Sequence, residues 1–224
     1  MILDTIEELN NYLQVGWSEM LNKDDRFNAK LSSLLKAKEP GHSLASSVEE
    51  KIIEILKSKF VTRVESNRDI ADVWINIDGS FIPFNIKTHI KRFSKGGAKK
   101  NGQPNICSMK RIIEGVTNER FNYYFIIWVI IDQQTESCEI VIDSLSDLFV
   151  RNALTFNDGP GQIMAKQKYC AKGIENNLTL SEILLELNDF RLLTIKKNRE
   201  HRDEVSNKLT SSVKTFLEMK RTPV

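Results

Sequence analysis

The stretch DIADVWINIDGSFIPFNIKTHIK, Asp69 to Lys91, decides how the chain folds. Two runs of alternating β-branched and aromatic residues flank Asp78-Gly79, and an Asp-Gly step between such runs is a strong hairpin signal. The reading predicts strands over Asp72–Ile77 and Phe81–Thr88. Side chains alternate faces along a strand. Phe84 and Ile86 therefore share an apolar face, as do Val73, Ile75 and Ile77. Asp72, Trp74 and Asn76 lie on the opposite face of the first strand, and Asn85 and Lys87 on the opposite face of the second. Asp72, Asn85 and Lys87 all lie toward the open end of the hairpin, so antiparallel pairing is expected to gather an acid, an amide oxygen and an ammonium at one sheet edge.

Outward from the hairpin, the spacing of Ile2, Leu3, Ile6, Leu9, Tyr12 and Leu13 predicts an amphipathic helix. Glu39-Pro40-Gly41-His42 breaks the chain. Ser43 or Ser46 is then positioned to cap a helix carrying Val48, Ile52, Ile55, Leu56 and Phe60 on one face. After the hairpin come a Gly- and Lys-rich loop and a short helix in SMKRIIEGVTNE. Aromatic and β-branched content marks FNYYFIIWVIID as a buried central strand. CEIVIDSLSDLF reads as a strand ending in a helical turn, and LTFNDGPGQIMAK as a loop next to a short strand. The pattern from Leu178 onward is helical, with breaks expected near Asn188 and Asn198. This order predicts an α/β fold, a central mixed sheet with a catalytic β-hairpin, flanked by helices. The expected organisation is a single domain over 1–224, with N-terminal helices over 1–60, a sheet core over about 61–170 and a helical region over about 178–220.

Composition narrows the function. The 224 residues are 41% hydrophobic, enough for one sizeable core. The longest apolar run, Tyr123 to Ile131, is far short of the roughly 20 residues of a membrane helix. No secretory pattern opens the chain, and a soluble, cytoplasmic protein is expected. Three cysteines without a CxxC pair, and three scattered histidines, argue against a disulfide framework or a zinc site.

The hairpin constellation suits metal-dependent phosphodiester hydrolysis. Mg²⁺ takes oxygen ligands, commonly one or two carboxylates with water and a phosphate. Asp72 is the expected principal ligand and Asn85 an auxiliary one. Lys87 is expected to orient water or neutralise transition-state charge. Glu49 or Glu50, on the preceding helix, is the candidate second carboxylate.

The segment Lys87 to Arg111 holds eight Lys or Arg and no acid, whereas the whole chain has a net charge of only +2. Such one-sided charge is the footprint of a phosphate-binding surface. Lys91, Arg92, Lys95, Lys99, Lys100 and Lys110 are candidate phosphate contacts. Asn101, Gln103 and Asn105 are candidates for base edges or phosphates. A second candidate contact is the Gly159-Pro160-Gly161 turn, followed by Gln162 and Lys166. The basic stretch Lys196 to Arg202 is diluted by acids and reads as an exposed helix face.

These residues resemble the PD-(D/E)xK nuclease superfamily, most closely its type II restriction endonucleases. The resemblance rests on Asp72, on Asn85-Ile86-Lys87 after twelve intervening residues, and on the preceding helix SSVEEKIIEIL, with Glu49 at the expected place. It spans roughly residues 43 to 132. Ala71 stands where the family pattern has proline, and Asn85 where it has an acid. The resemblance implies a Mg²⁺-dependent enzyme of a prokaryotic restriction–modification system. Such an enzyme cuts double-stranded DNA at a specific, palindromic site, leaves 5′-phosphates and works as a homodimer. Two alternatives stay open: a repair or junction-resolving nuclease of the same superfamily, and a non-catalytic DNA-binding protein whose metal site has decayed.

Overall fold

A computed structural model describes residues 2–36, 41–65, 69–91, 93–94, 97–98, 104–157, 161–166 and 170–221. The fold is α/β. Three helices come first: α1 (Ile2–Lys23), α2 (Asp25–Lys36) and α3 (Gly41–Lys57). A mixed sheet follows, built from β1 (Thr62–Arg63), β2 (Val73–Ile77), β3 (Ser80–Lys91), β7 (Phe125–Asp132) and β8 (Cys138–Ser144), in the order β1-β2-β3-β7-β8. β3 and β7 run parallel; the other neighbouring pairs are antiparallel.

Period-2 alternation sends each strand's side chains into two separate cores. Val73, Ile75, Phe84, Ile86, Ile127 and Val129 meet α1, α2 and α3. Trp74, Ile126, Trp128 and Ile130 meet the elements on the other face. These include α4 (Met109–Thr117), α5 (Leu145–Val150), the start of α6 (Leu180–Arg221) and a small antiparallel sheet, β6-β10-β9. That sheet comprises β6 (Asn105–Ser108), β9 (Leu154–Phe156) and β10 (Gln162–Ala165). A two-residue pair, β4 (Phe93–Ser94) with β5 (Gly97–Ala98), follows β3. β8 is an edge strand, and α1 covers its backbone: Gln14 donates to the Cys138 carbonyl and accepts from Ile140 N–H. An edge satisfied in this way is not open to another chain.

The hairpin forms as its sequence dictates. Asp78 and Gly79 both have positive φ, at 51° and 84°, the pairing a tight two-residue hairpin turn requires. Val73 pairs with Phe84 and Ile77 with Ser80. Several expectations need correction. Ser43 and Ser46 do not cap α3, because that helix already begins at Gly41, and the Ser47 hydroxyl bonds the Ser43 carbonyl within it. Helix α2, buried through Phe27, Leu31 and Leu35, was not anticipated, nor was the edge strand β1. Trp74, on the Asp72 face, packs in the second core against Phe121.

Helix α6 is unbroken over 42 residues, about 60 Å at 1.5 Å per residue. Asn188 and Asn198 do not interrupt it. Thr179 and Glu182 bond reciprocally at its start, a capping box. Neither Gly nor Pro occurs from Leu180 to Arg221. Pairs such as Lys208–Glu204, at 2.9 Å, support the exposed half. Leu180, Ile183 and Leu187 anchor its beginning in the second core.

Candidate active site

The site gathers where α3, the entry to β2 and the middle of β3 meet. Asp72 N–H donates to the Phe84 carbonyl, at 3.0 Å, which fixes Asp72 opposite Asn85. One Asp72 oxygen, Oδ2, accepts from Ile86 N–H at 2.6 Å and lies 3.9 Å from the Lys87 ammonium. The Asp72 and Lys87 side chains are each about one quarter exposed, so both reach solvent while held by the sheet. Their charges attract across a partly desolvated gap, where Coulomb energy is larger than in bulk water.

Glu49, on α3, belongs to this cluster. It is half-buried, whereas Glu50 is exposed. Burial raises the Glu49 pKa above the usual carboxylate range; the Asp72 charge adds to the rise and Lys87 opposes it. Glu49 is thus the carboxylate that senses both Asp72 and Lys87, and Glu50 is its solvent-side neighbour. A raised folded-state pKa means that ionising Glu49 costs the native state stability as pH climbs past the unfolded value. Glu49→Gln is therefore expected to raise the melting temperature, and by more at pH 8 than at pH 5. Thermal melts of both proteins at the two pH values check this, and an equal or lower melting temperature at pH 8 contradicts it.

Asn85 is only 5% exposed, and its Oδ1 is buried with no hydrogen-bond partner among the described residues. Buried amide oxygens are rarely left unpaired. An orphaned acceptor beside two carboxylates fits a hard, oxygen-seeking cation such as Mg²⁺. Among the described residues, no group of three or more His, Cys, Asp or Glu side chains is placed to hold a metal. Two carboxylates and an amide, Glu49, Asp72 and Asn85, are the candidate donors, a ligand-poor set of the kind that would suit Mg²⁺ with water and phosphate in its remaining positions.

Sequence reading missed the layer beneath. Tyr124, just before β7, is 1% exposed, and its hydroxyl donates to the Ile70 carbonyl at 2.7 Å. Burial holds its pKa well above the ordinary tyrosine range, with Cys107 and Asp72 adding to the rise and Asn85 opposing it. Tyr124 therefore stays neutral under the Asp72 turn. Cys107, on β6, is pushed up to about 12, chiefly by burial, and is no nucleophile. Asp69 accepts from the Trp74 indole at 2.5 Å, and its carbonyl accepts from Arg111 at 2.8 Å. Tyr124→Phe leaves the buried Ile70 carbonyl without its donor, and a loss of about 1–3 kcal/mol is expected. Urea unfolding measures it, and an unchanged midpoint contradicts the assignment.

The candidate DNA contacts divide. Arg92, Lys95, Lys99, Lys100, Asn101 and Gln103 lie outside the described residues. Lys91 ends β3 and pairs with Glu139 at 3.5 Å. Asn105 opens β6 and is exposed; Lys110, on α4, is 80% exposed and 3.6 Å from Glu114. Gln162 is half-buried on β10, opposite Ser108. Lys166 is half-buried, and its ammonium donates to the Asn152 carbonyl at 3.0 Å in an exposed hydrogen bond. Gly159 and Pro160 lie outside the described residues; the Gly161 carbonyl accepts from Met109 N–H, which joins Gly161 to the start of α4.

No protein-family model matches the chain, and no curated protein matches its sequence. No helix among the described residues is long and apolar enough to cross a membrane.

Proposed function

We propose that the chain is a Mg²⁺-dependent endonuclease that hydrolyses phosphodiester bonds in double-stranded DNA, with the site specificity of a type II restriction enzyme. The observation that carries this reading is the meeting of Glu49, Asp72 and Lys87, from α3, the β2 entry and β3, beside the orphaned Asn85 oxygen. The arrangement of helix, hairpin and parallel β7 supports a restriction-endonuclease-like core.

Asp72 and Glu49 supply carboxylate oxygens, and Asn85 supplies a neutral one. A Mg²⁺ ion held by Asp72, Glu49 and Asn85 would supply a lowered pKa for bound water and a positive charge against the phosphate. Lys87 neutralises a non-bridging phosphate oxygen as charge builds on it, or holds the attacking water. The Asp72–Ile86 hydrogen bond fixes the carboxylate before substrate arrives, so no reorganisation is needed during reaction. No covalent enzyme intermediate is required, and the products carry 5′-phosphates.

A two-fold dimer accompanies this reading, since two sites cut both strands of a palindrome. Exposed Leu192, Leu193 and Leu209, at 50%, 57% and 63%, support an interface on α6. Calorimetric titration with Mg²⁺ tests the metal site separately from cleavage. Binding is expected in the parent protein and its loss in Asp72→Ala; equal binding in both contradicts the assignment.

A further inference from the structure

Beyond Lys87, the active face of β3 continues through His89 and Lys91. A cavity of about 290 Å³ opens there, lined by His89, Lys91, Trp128, Glu139, Cys170 and Lys172. Its hydrogen-bonding groups are mostly donors. Trp128 is 3% exposed, yet its indole N–H is buried with no partner among the described residues. An indole N–H only donates, and leaving it unpaired in a buried position costs stability unless a ligand accepts from it. Two basic residues, Lys91 and the exposed Lys172, line the same cavity. Its one carboxylate, Glu139, is 60% exposed and engaged with Lys91 at 3.5 Å. Burial, with Lys91 adding to it, holds the His89 pKa below the ordinary histidine range, so a neutral imidazole there can also donate.

The cavity is tied to the catalytic centre by register. Trp128 sits directly opposite Lys87 across the β3–β7 ladder, and His89 is two residues further along the same face. Two residues of strand advance about 7 Å, a step comparable to that between neighbouring phosphates on one nucleic-acid strand. We propose that this cavity is a second phosphate subsite, in which the Trp128 indole, His89 and Lys172 hold the DNA phosphate adjacent to the one cleaved. The inference rests on the nuclease reading and extends it to how the strand is positioned.

The test uses the full chain labelled with ¹⁵N-tryptophan, in EDTA, so that binding is read without cleavage. The three indole N–H signals are followed during titration with a short DNA duplex and, separately, with inorganic phosphate. Trp128→Phe identifies its signal, and Trp17→Phe with Trp74→Phe identifies it by elimination should that variant not fold. The expected result is a DNA-induced shift of the Trp128 signal, with His89→Ala and Lys172→Ala each weakening DNA binding about tenfold, as the loss of one charge-assisted hydrogen bond does. A shift with inorganic phosphate but none with DNA overturns the inference in favour of a free-anion site. DNA binding, seen by gel mobility, with an unmoved Trp128 signal overturns the subsite and leaves the nuclease reading standing. Absence of DNA binding by every probe overturns both.

Discussion

Lys87→Ala is expected to lower the single-turnover rate of Mg²⁺-dependent DNA cleavage by about 10²–10³-fold, the usual effect of removing one preorganised group that meets developing charge. The same change is expected to leave Mg²⁺ binding intact or tighter. The Lys87 ammonium lies 3.9 Å from the Asp72 carboxylate and opposes the pKa rise of Glu49. Removing it makes the pocket more negative, so the carboxylates attract a divalent cation more strongly. It also lets the Glu49 pKa rise further, so the pH dependence of metal binding moves toward higher pH. A variant that keeps its metal and loses its rate separates a role in charge stabilisation from damage to the fold. Rapid-quench cleavage and calorimetric Mg²⁺ titration on the same preparation check both halves. A rate within a few-fold of the parent contradicts the role given to Lys87.

The second large effect concerns stability. Asp143, on β8, is fully buried. Its carboxylate takes Arg151 Nη2 at 3.0 Å, Ala171 N–H at 2.6 Å and Lys172 N–H at 3.1 Å. Burial raises its pKa, while Arg151 and the two backbone donors work against that rise. Asp143→Ala takes from the Arg151 guanidinium, whose side chain is only 14% exposed, its one buried carboxylate, leaving the exposed Glu175 at 3.8 Å and the Asp147 and Gly173 carbonyls, and it orphans two backbone donors. A loss of about 3–5 kcal/mol is expected, the cost of breaking a buried pair from one side. Replacing both partners, Asp143→Leu with Arg151→Met, is expected to recover part of that loss, since it removes the poorly compensated charge while the Ala171 and Lys172 N–H donors stay orphaned. Urea unfolding of both variants measures this, and a single-variant loss below about 1 kcal/mol contradicts the account. The neighbouring Asp147 is built alike, accepting from Glu175 and Asn176 N–H. Together the two acids pin residues 171–176, including the Lys172 that lines the cavity beside His89 and Trp128.

The hairpin was legible because its signals are local. An Asp-Gly turn and a period-2 pattern settle register between strands two residues apart in the turn, and register alone carries Asp72 to Asn85 and Lys87. Glu49 was legible as one of two candidates; only the packing of α3 on the sheet turns Glu49 inward and Glu50 outward. Features that rest on long-range partners were hidden. Tyr124 looked like one aromatic in a core strand, yet its hydroxyl reaches Ile70, 54 residues earlier. Nothing local marks Asp143 and Asp147 as buried acids, because the backbone donors that satisfy them lie 28 and 29 residues away. The breaks expected at Asn188 and Asn198 followed weak asparagine propensity. The capping box and side-chain pairs of α6 outweigh a cost of only a few tenths of a kcal/mol per residue. The stretch from Leu154 to Lys166 reads as a loop next to one short strand, whereas it holds two, β9 and β10, since strands of three and four residues carry little periodicity.

The central claim is that Glu49, Asp72, Asn85 and Lys87 form a metal-dependent DNA-cleaving centre. The most direct measurement incubates the purified protein with a long duplex DNA in Mg²⁺, and in EDTA, beside Asp72→Ala. Discrete fragments in Mg²⁺ alone, absent from the variant, are the predicted result. A Mg²⁺-dependent smear keeps the chemistry and replaces restriction with a repair-type nuclease. Intact DNA retained by the protein in a salt-sensitive complex contradicts the account, and makes this a binding protein whose Asn85 marks a lost metal site.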